Sequence, residues 1–395
     1  MHPPQILLAT AGSWHLPHTA RAYHAAGSLA EIWTSDRIKA PELAGKWRRC
    51  KPFHAAMTPF YRFAPQIVVE KAFYAALPVW KHWIRRQRIP ADCDAVQGIM
   101  GYCTELFDLA EATGKRHLKI VDCANSHPVT YLGFWQRECD LWCPGERVPI
   151  PGFMFSRMNR ELERADLIVV QSTFCKDSMV LNGIPADKVF VNPMGVDTGT
   201  FTPRSEVPAK PRFVMVATIC LRKGHQYLFR AFEKVKRELP DAELICIGAY
   251  KSDFRMERPR WEGSFTHLPS VPHSELAKLL RDCTAFVFPS LEEGIGRAQI
   301  EALAAGLPVI GTHEAGTTTM VEDGVQGYIV RGRDPDQLAD RMIRIAKEPE
   351  ANARMGHAAF LKGGDGNSWQ DYGNRLLAEI SRRRAGAGSL AESPE

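Results

Sequence analysis

No Cys-x-x-Cys pair occurs among the ten cysteines of this 395-residue chain. Several lie in strand-like apolar runs such as ELICIGA, and a disulfide framework does not suit a chain this long, so buried thiols in a reducing compartment are expected. Cys139 and Cys143 with His127 form the one loose grouping that a zinc ion could use, and no metal site is expected from it. No apolar run approaches the roughly 18–20 residues that a spanning helix needs. The N-terminal MHPPQILLATAGSWH lacks the basic and apolar regions of a signal peptide and reads straight into a strand, so a soluble, cytoplasmic protein is expected. A large excess of one charge is also missing. The formal balance of +5 is too small for a dedicated nucleic-acid binder. No Gly-x-Gly-x-x-Gly follows the first strand, which argues against a nicotinamide dehydrogenase.

Charge is nevertheless concentrated locally. Residues 41–90 carry ten Lys/Arg against Glu42 and Glu70, a balance of +8, interleaved with aromatics from Trp47 to Trp83. Such interleaving suits an anionic bilayer surface or an anionic acceptor, each basic residue near the surface contributing about 1 kcal/mol. The plainer reading is a solvated helical face with its aromatics in the core.

Along the chain, short apolar strands alternate with helices. QILLATA, LAEIWTS, ADCDAVQGIM, HLKIVDC, DLIVVQS and KVFVNP read as strands, with TELFDLAEATG and STFCKDSMVLNG helical between them. Ser172 is a candidate N-cap and Gly183 a candidate stop. The proline-rich stretch 198–211 interrupts the pattern, which restarts at RFVMVAT and runs through AELICIGA, TAFVFPS and LPVIGT. Single cores stop growing near roughly 250–300 residues, so two domains are expected. Alternation of this kind predicts an α/β fold with two doubly wound, Rossmann-like parallel sheets facing a central cleft, the usual ligand site.

The richest stretch is PSLEEGIGRAQIEALAAGLPVI, 289–310. Glycines at a strand-to-helix turn let backbone N–H groups approach a ligand, and the helix start near Arg297 adds roughly half a positive charge. This is a phosphate seat built without metal, with the Arg297 charge beside it. Glu301, four residues on and about 6 Å along the axis, joins Glu293 as a second carboxylate able to grip hydroxyls of an elongated ligand. A second cluster, VATICLRKGHQYL, delivers Arg222, Lys223 and Gly224 at the end of the first strand of the second half.

These residues resemble the retaining, nucleotide-sugar-dependent glycosyltransferases of family 4, which have the GT-B fold. The likeness rests on Glu293 and Glu301 at the family's Glu-x7-Glu spacing within EGIGRAQIE, the turn of Lys223 and Gly224, the segment 171–203 and an SWQDY-like final helix. It covers most of 160–380. With the break in pattern at 198–211, it implies an acceptor-binding domain over 1–205, a donor-binding domain over 206–367 and a helix over 368–382 crossing back; the composition of 383–395 makes that tail an expected disordered segment.

The resemblance further implies roles. Glu293 would contact the donor sugar, and Lys223 with Arg222 would neutralise the diphosphate. His127, past a strand of the first domain, would sit near sugar and acceptor, with His15 and His18 as weaker rivals. These assign catalysis to His127, Glu293 and Lys223. Donor binding falls to Gly12, Arg222, Val271, Gly294, Ile295, Gly296, Arg297, Ala298 and Glu301, with Glu301 on the ribose and Val271 beside the base. The expected reaction moves a hexosyl unit from a nucleotide-sugar to a hydroxyl acceptor on a glycan or glycolipid, with retention, no metal and no cofactor. A nucleotide-sugar epimerase, a phosphorylase or a non-catalytic binding module are the alternatives. The chain departs from the family at Ala217-Thr218, where Gly-Arg is usual, and in IGAYKSD, where a glycine-rich turn is reduced to Gly248 and Tyr250.

Overall fold

The computed structural model describes every residue except Met1, Ser13, Ala64, Pro65, Glu146, Pro149, Asp365 and 390–395, and only the backbone for 61–71 and 386–389. Strands Ile6–Thr10 (β1), Leu29–Thr34 (β2), Trp47–Arg49 (β3), Ala95–Ile99 (β4), Leu118–Asp122 (β5), Leu167–Val170 (β6) and Val189–Val191 (β7) form the first sheet. Arg212–Val216 (β8), Glu243–Ile247 (β9), Thr266–Leu268 (β10), Ala285–Phe288 (β11), Val309–Thr312 (β12) and Gly327–Val330 (β13) form the second. Their orders are β3-β2-β1-β4-β5-β6-β7 and β10-β9-β8-β11-β12-β13, with every pair parallel.

The central strands are apolar along their whole length because helices cover both faces. ILLAT in β1, LIVV in β6 and AFVF in β11 are buried throughout, which is the signature of parallel sheet rather than of alternating, one-sided strands. Strand order reverses between β1 and β4 and again between β8 and β11. Each reversal opens a crevice beyond the carboxyl ends of the strands.

Three strands go unread in the sequence: Trp47–Arg49, Thr266–Leu268 and Gly327–Val330. All lie at sheet edges and span only three or four residues. Short, partly solvated edges carry too little apolar pattern to register.

The last helix, Trp369–Ser389, leaves the second domain and packs on the first. Tyr372, Leu376 and Ile380 are fully buried among Ile6, Leu16 and Tyr23. Residues 383–389, expected as disordered tail, continue this helix, while 390–395 fall outside the described residues.

The basic segment is less open than its composition suggests. Phe53 and Trp80 are buried in the first domain's core, with Phe73, Tyr74 and Trp83 packed against it, so these rings support the fold. Phe60 is exposed, and the side chains of Tyr61 and Phe63 lie outside the described residues. Among the described residues no helix is long and apolar enough to cross a membrane.

Candidate functional site

The two domains meet along polar ties that no sequence signal marks. Helix Pro128–Trp142 belongs to the first domain but docks on the second. Its fully buried Glu138 accepts from Arg333 Nε at 2.7 Å, Gln226 Nε2 at 2.9 Å and Tyr227 Oη at 3.0 Å. On the same helix, Trp135 Nε1 donates to Asp253 Oδ2 at 3.0 Å.

Within the second domain, the turns after β8 and β11 are joined. The Leu291 N–H donates to the Arg222 carbonyl at 2.9 Å. Gly224, at φ 77°, makes this approach possible: a Cβ there would lie 2.1 Å from the Pro289 carbonyl oxygen. Gly294 performs the same service between domains, since a Cβ on it would lie 2.2 Å from the Ala124 carbonyl oxygen.

This junction separates Glu292 from its neighbour. Glu292 is fully buried and turns toward the first domain, where Oε1 accepts from the Ser126 N–H at 3.0 Å and its hydroxyl at 2.9 Å. Its Oε2 accepts from Asn125 Nδ2 at 3.2 Å and Arg222 Nη1 at 2.9 Å. Arg222 also donates to the Glu292 carbonyl at 2.6 Å and lies over the Tyr131 ring, 5.3 Å from its centre. Burial opposes the Arg222 charge, but Tyr131 and Glu292 outweigh it and raise its pKa. The guanidinium is thus already engaged by a carboxylate and faces Glu293 only at 3.7 Å.

Lys223 is the cation paired with Glu293. Burial, and then the Arg222 charge, pull the Lys223 ammonium down to about 7, against the opposing pull of Cys220 and Glu292. Helix Arg297–Ala304 begins after Gly296. The Ile295 side chain packs into the second core and Ala298 rests against it, so both present backbone rather than side chain. Glu301 is almost fully buried, with Arg297 Nε at 3.2 Å and His273 Nε2 at 4.0 Å. Burial raises its pKa against the pull of Arg297 and His273. Val271 lies two residues before His273 and packs on the same core.

Across the cleft, Gly12 follows β1 and its carbonyl accepts from the Thr34 hydroxyl at 3.3 Å. His15 begins helix Leu16–Ala25 and holds Asp122 Oδ2 at 2.8 Å through Nε2, both groups buried. His18 stacks on Trp369 with ring centres 4.3 Å apart, and burial, then Arg21 and Arg297, lower its pKa to about 4. The Arg297 charge also works against protonation of His15.

His127 has a firm structural role. Its Nδ1 accepts from the Val129 N–H at 3.3 Å, capping helix Pro128–Trp142, and its own N–H donates to Ser178 Oγ at 2.9 Å. Burial lowers its pKa, so the ring stays neutral with its proton on Nε2. No three His, Cys, Asp or Glu side chains among the described residues group as a metal would require.

Comparison with known proteins now bears on this arrangement. Residues 201–362 match the family described as "Glycosyl transferases group 1". Those residues are a group 1 glycosyltransferase domain. The chain is 28% identical to a D-inositol 3-phosphate glycosyltransferase of Paenarthrobacter aurescens, over 54% of this chain and 57% of the relative. Identity is 27% to a GDP-mannose-dependent alpha-(1-6)-phosphatidylinositol monomannoside mannosyltransferase of Mycolicibacterium smegmatis, over 56% and 63%. The chain therefore spans between about half and two-thirds of these relatives' length. Sucrose-phosphate synthase from Thermosynechococcus elongatus superposes with a TM-score of 0.73, at 17% identity over 97% of this chain and 100% of that one. Anabaena HepE in complex with UDP-glucose superposes at 0.67, with 13% identity over 96% and 99%. The group 1 domain and the sheet preceding it together make a GT-B fold.

Proposed function

We propose that this chain is a retaining, metal-independent glycosyltransferase of family 4, moving a hexosyl unit from a nucleotide-sugar to a hydroxyl acceptor in glycan, polysaccharide or glycolipid biosynthesis. The observation that carries the reading is the junction of the turns after β8 and β11. It gathers Lys223, Glu293, Arg297, Glu301 and the start of a helix at one strand-end crevice. The names of the similar proteins support it, as does the UDP-glucose held by HepE.

In this reading the leaving diphosphate meets Lys223, Arg297 and the N–H groups of Gly296, Arg297 and Ala298. Fixed positive groups aimed at developing charge are commonly the largest catalytic contribution. As the diphosphate arrives, Lys223 transfers its contact from Glu293 to phosphate oxygen, which releases Glu293 for the hydroxyls of the donor sugar. Glu301 accepts from the ribose, Val271 borders the base, and Gly12 faces the diphosphate from the opposite domain. Arg222 acts at one remove: tied to Glu292, it fixes the loop that carries Glu293. His127 offers Nε2–H to the sugar or acceptor. Location in the cytoplasm, peripheral on the membrane through residues 41–90, completes the reading. Vesicle co-sedimentation at low and high salt tests that part, and failure to bind anionic vesicles at low salt removes it.

The decisive test is nucleotide release. Thermal-shift screening with UDP, GDP, ADP and dTDP sugars identifies the donor, since a ligand stabilises by RT ln(1 + [L]/Kd). Slow hydrolysis of that donor without acceptor, undiminished by excess EDTA, is expected. A chain that binds the donor and never cleaves it is a binding module instead.

A further inference from the structure

A cavity of about 150 Å³ lies at the carboxyl ends of β4 and β5, in the first domain. Tyr74, Tyr102, Tyr131, Met154 and Met158 line it, Ile99 at the end of β4 forms part of its floor, and Trp14 borders it. No charged side chain contributes to its wall among the described residues. Its polar groups are the hydroxyls of Tyr74, Tyr102 and Tyr131 together with Asn125 and Ser126, and the last two already hold Glu292, one residue from Glu293. Ala124, also in the wall, is the residue whose carbonyl touches Gly294. One end of the cavity is therefore built from the residues that join the first domain to the donor-side loop.

Trp14 is the second observation. It is 54% exposed, although tryptophan is usually well covered, and its backbone sits at φ 44°. That conformation is uncommon for a residue with a bulky side chain and is retained where the surroundings hold it. Its ring lies over Gly12, where an added Cβ would come within 3.1 Å of Nε1. An aromatic plate thus stands between the strand end that faces the diphosphate and the cavity.

Such a lining does not suit a bare sugar ring. Hexose hydroxyls call for carboxylate or amide partners, and the one amide in the wall, Asn125, already donates to Glu292. A cavity of about 150 Å³ with apolar walls instead admits a benzene-sized group, and methionines adjust their shape to such an occupant.

We propose that the acceptor carries an uncharged apolar group, a short alkyl or an aryl moiety, next to the hydroxyl that is glycosylated, and that this cavity seats it. The inference rests on the transferase reading for the identity of the occupant as acceptor. It goes further by naming what the acceptor must contain.

The test separates the two. With methionine methyl groups labelled for NMR, n-hexanol and benzyl alcohol are titrated into the whole chain, with glycerol as polar control. Saturable shifts are expected at the Met154 and Met158 methyls with both alcohols and not with glycerol. Met158→Trp, which fills the cavity, abolishes the shift at Met154. Tyr74→Ala, which enlarges it, strengthens binding of benzyl alcohol and serves if the first variant does not fold. In turnover, hexyl and phenyl glycosides have KM values at least tenfold below that of the methyl glycoside, with kcat unchanged. Absent shifts, equal shifts with glycerol, or equal KM values overturn the proposal while donor hydrolysis stands. Alcohol binding without any donor cleavage overturns the acceptor assignment and also removes the transferase reading.

Discussion

Glu292 Oε2 lies 2.9 Å from Arg222 Nη1, whereas Glu293, one residue on, leaves Arg222 at 3.7 Å and pairs with Lys223. Neighbours along a loop have taken opposite sides of a domain boundary, one structural and one facing the candidate donor seat. The two carboxylates should separate in experiment. Glu292→Ala takes its nearest carboxylate from the largely buried Arg222 guanidinium and strips Ser126 of its acceptor. Loss of a partner from a buried pair costs about 3–5 kcal/mol. Urea unfolding should show a loss of that size for Glu292→Ala and a much smaller one for Glu293→Ala. Turnover should fall in Glu293→Ala by far more than that small loss of stability explains.

Lys223 carries the charge that Arg222 cannot lend. Lys223→Ala should lower kcat/KM by about 10²-fold or more, roughly 3 kcal/mol, the scale on which a fixed electrostatic contact acts. Lys223→Arg keeps the charge and should recover part of the loss. Near-full turnover in Lys223→Ala would remove the residue from the chemistry.

The elements that position this site were largely readable, and the reason is physical. Central parallel strands are apolar throughout, and helix starts carry visible signals: the structure has Ser172 Oγ accepting from the Cys175 N–H at 3.2 Å and a helix beginning at Arg297. Contacts across the domain boundary were not readable. Glu138 sits on a helix read only as an unassigned stretch, and its partners Gln226, Tyr227 and Arg333 lie 88 to 195 residues away. Glu292 and Glu293 are chemically identical neighbours, and only the direction each takes from the loop distinguishes them. Asp122 ends an ordinary strand, and nothing local marks it as the partner of His15.

Gly294→Ala tests whether the domains must touch at this loop. The new methyl would meet the Ala124 carbonyl oxygen, a backbone atom, at 2.2 Å, so the loop or the domain has to move. Displacement of about 1 Å at a reacting centre can cost 10²-fold. A marked fall in kcat/KM is expected, with an increased radius of gyration in solution scattering and an intact second-domain fold by circular dichroism. Wild-type turnover would show that contact at Gly294 is dispensable.

His127 combines a cap with its proposed role at the sugar. His127→Ala removes the acceptor for the Val129 N–H and should cost about 0.5–2 kcal/mol. His127→Asn retains a capping oxygen and should restore that stability without restoring kcat/KM. Recovery of both would leave His127 as a cap alone.

His15 offers a test by pH. Burial alone would lower its pKa, but attraction to Asp122 and the hydrogen bond to it raise the value above 6.5, with Arg297 opposing. A histidine whose folded pKa exceeds its unfolded one stabilises the fold fully below the unfolded value and loses that contribution as pH rises through the folded value. The stability gap between wild type and His15→Gln, from urea unfolding, should therefore be widest below pH 6.5 and shrink as pH climbs past that raised value. Tyr372 and Trp369 of the last helix pack against the same imidazole, so the returning helix should loosen over the same range. Hydrogen exchange at residues 369–380 would register that loosening. A gap that widened with pH would mean that Asp122 does not hold the proton on His15.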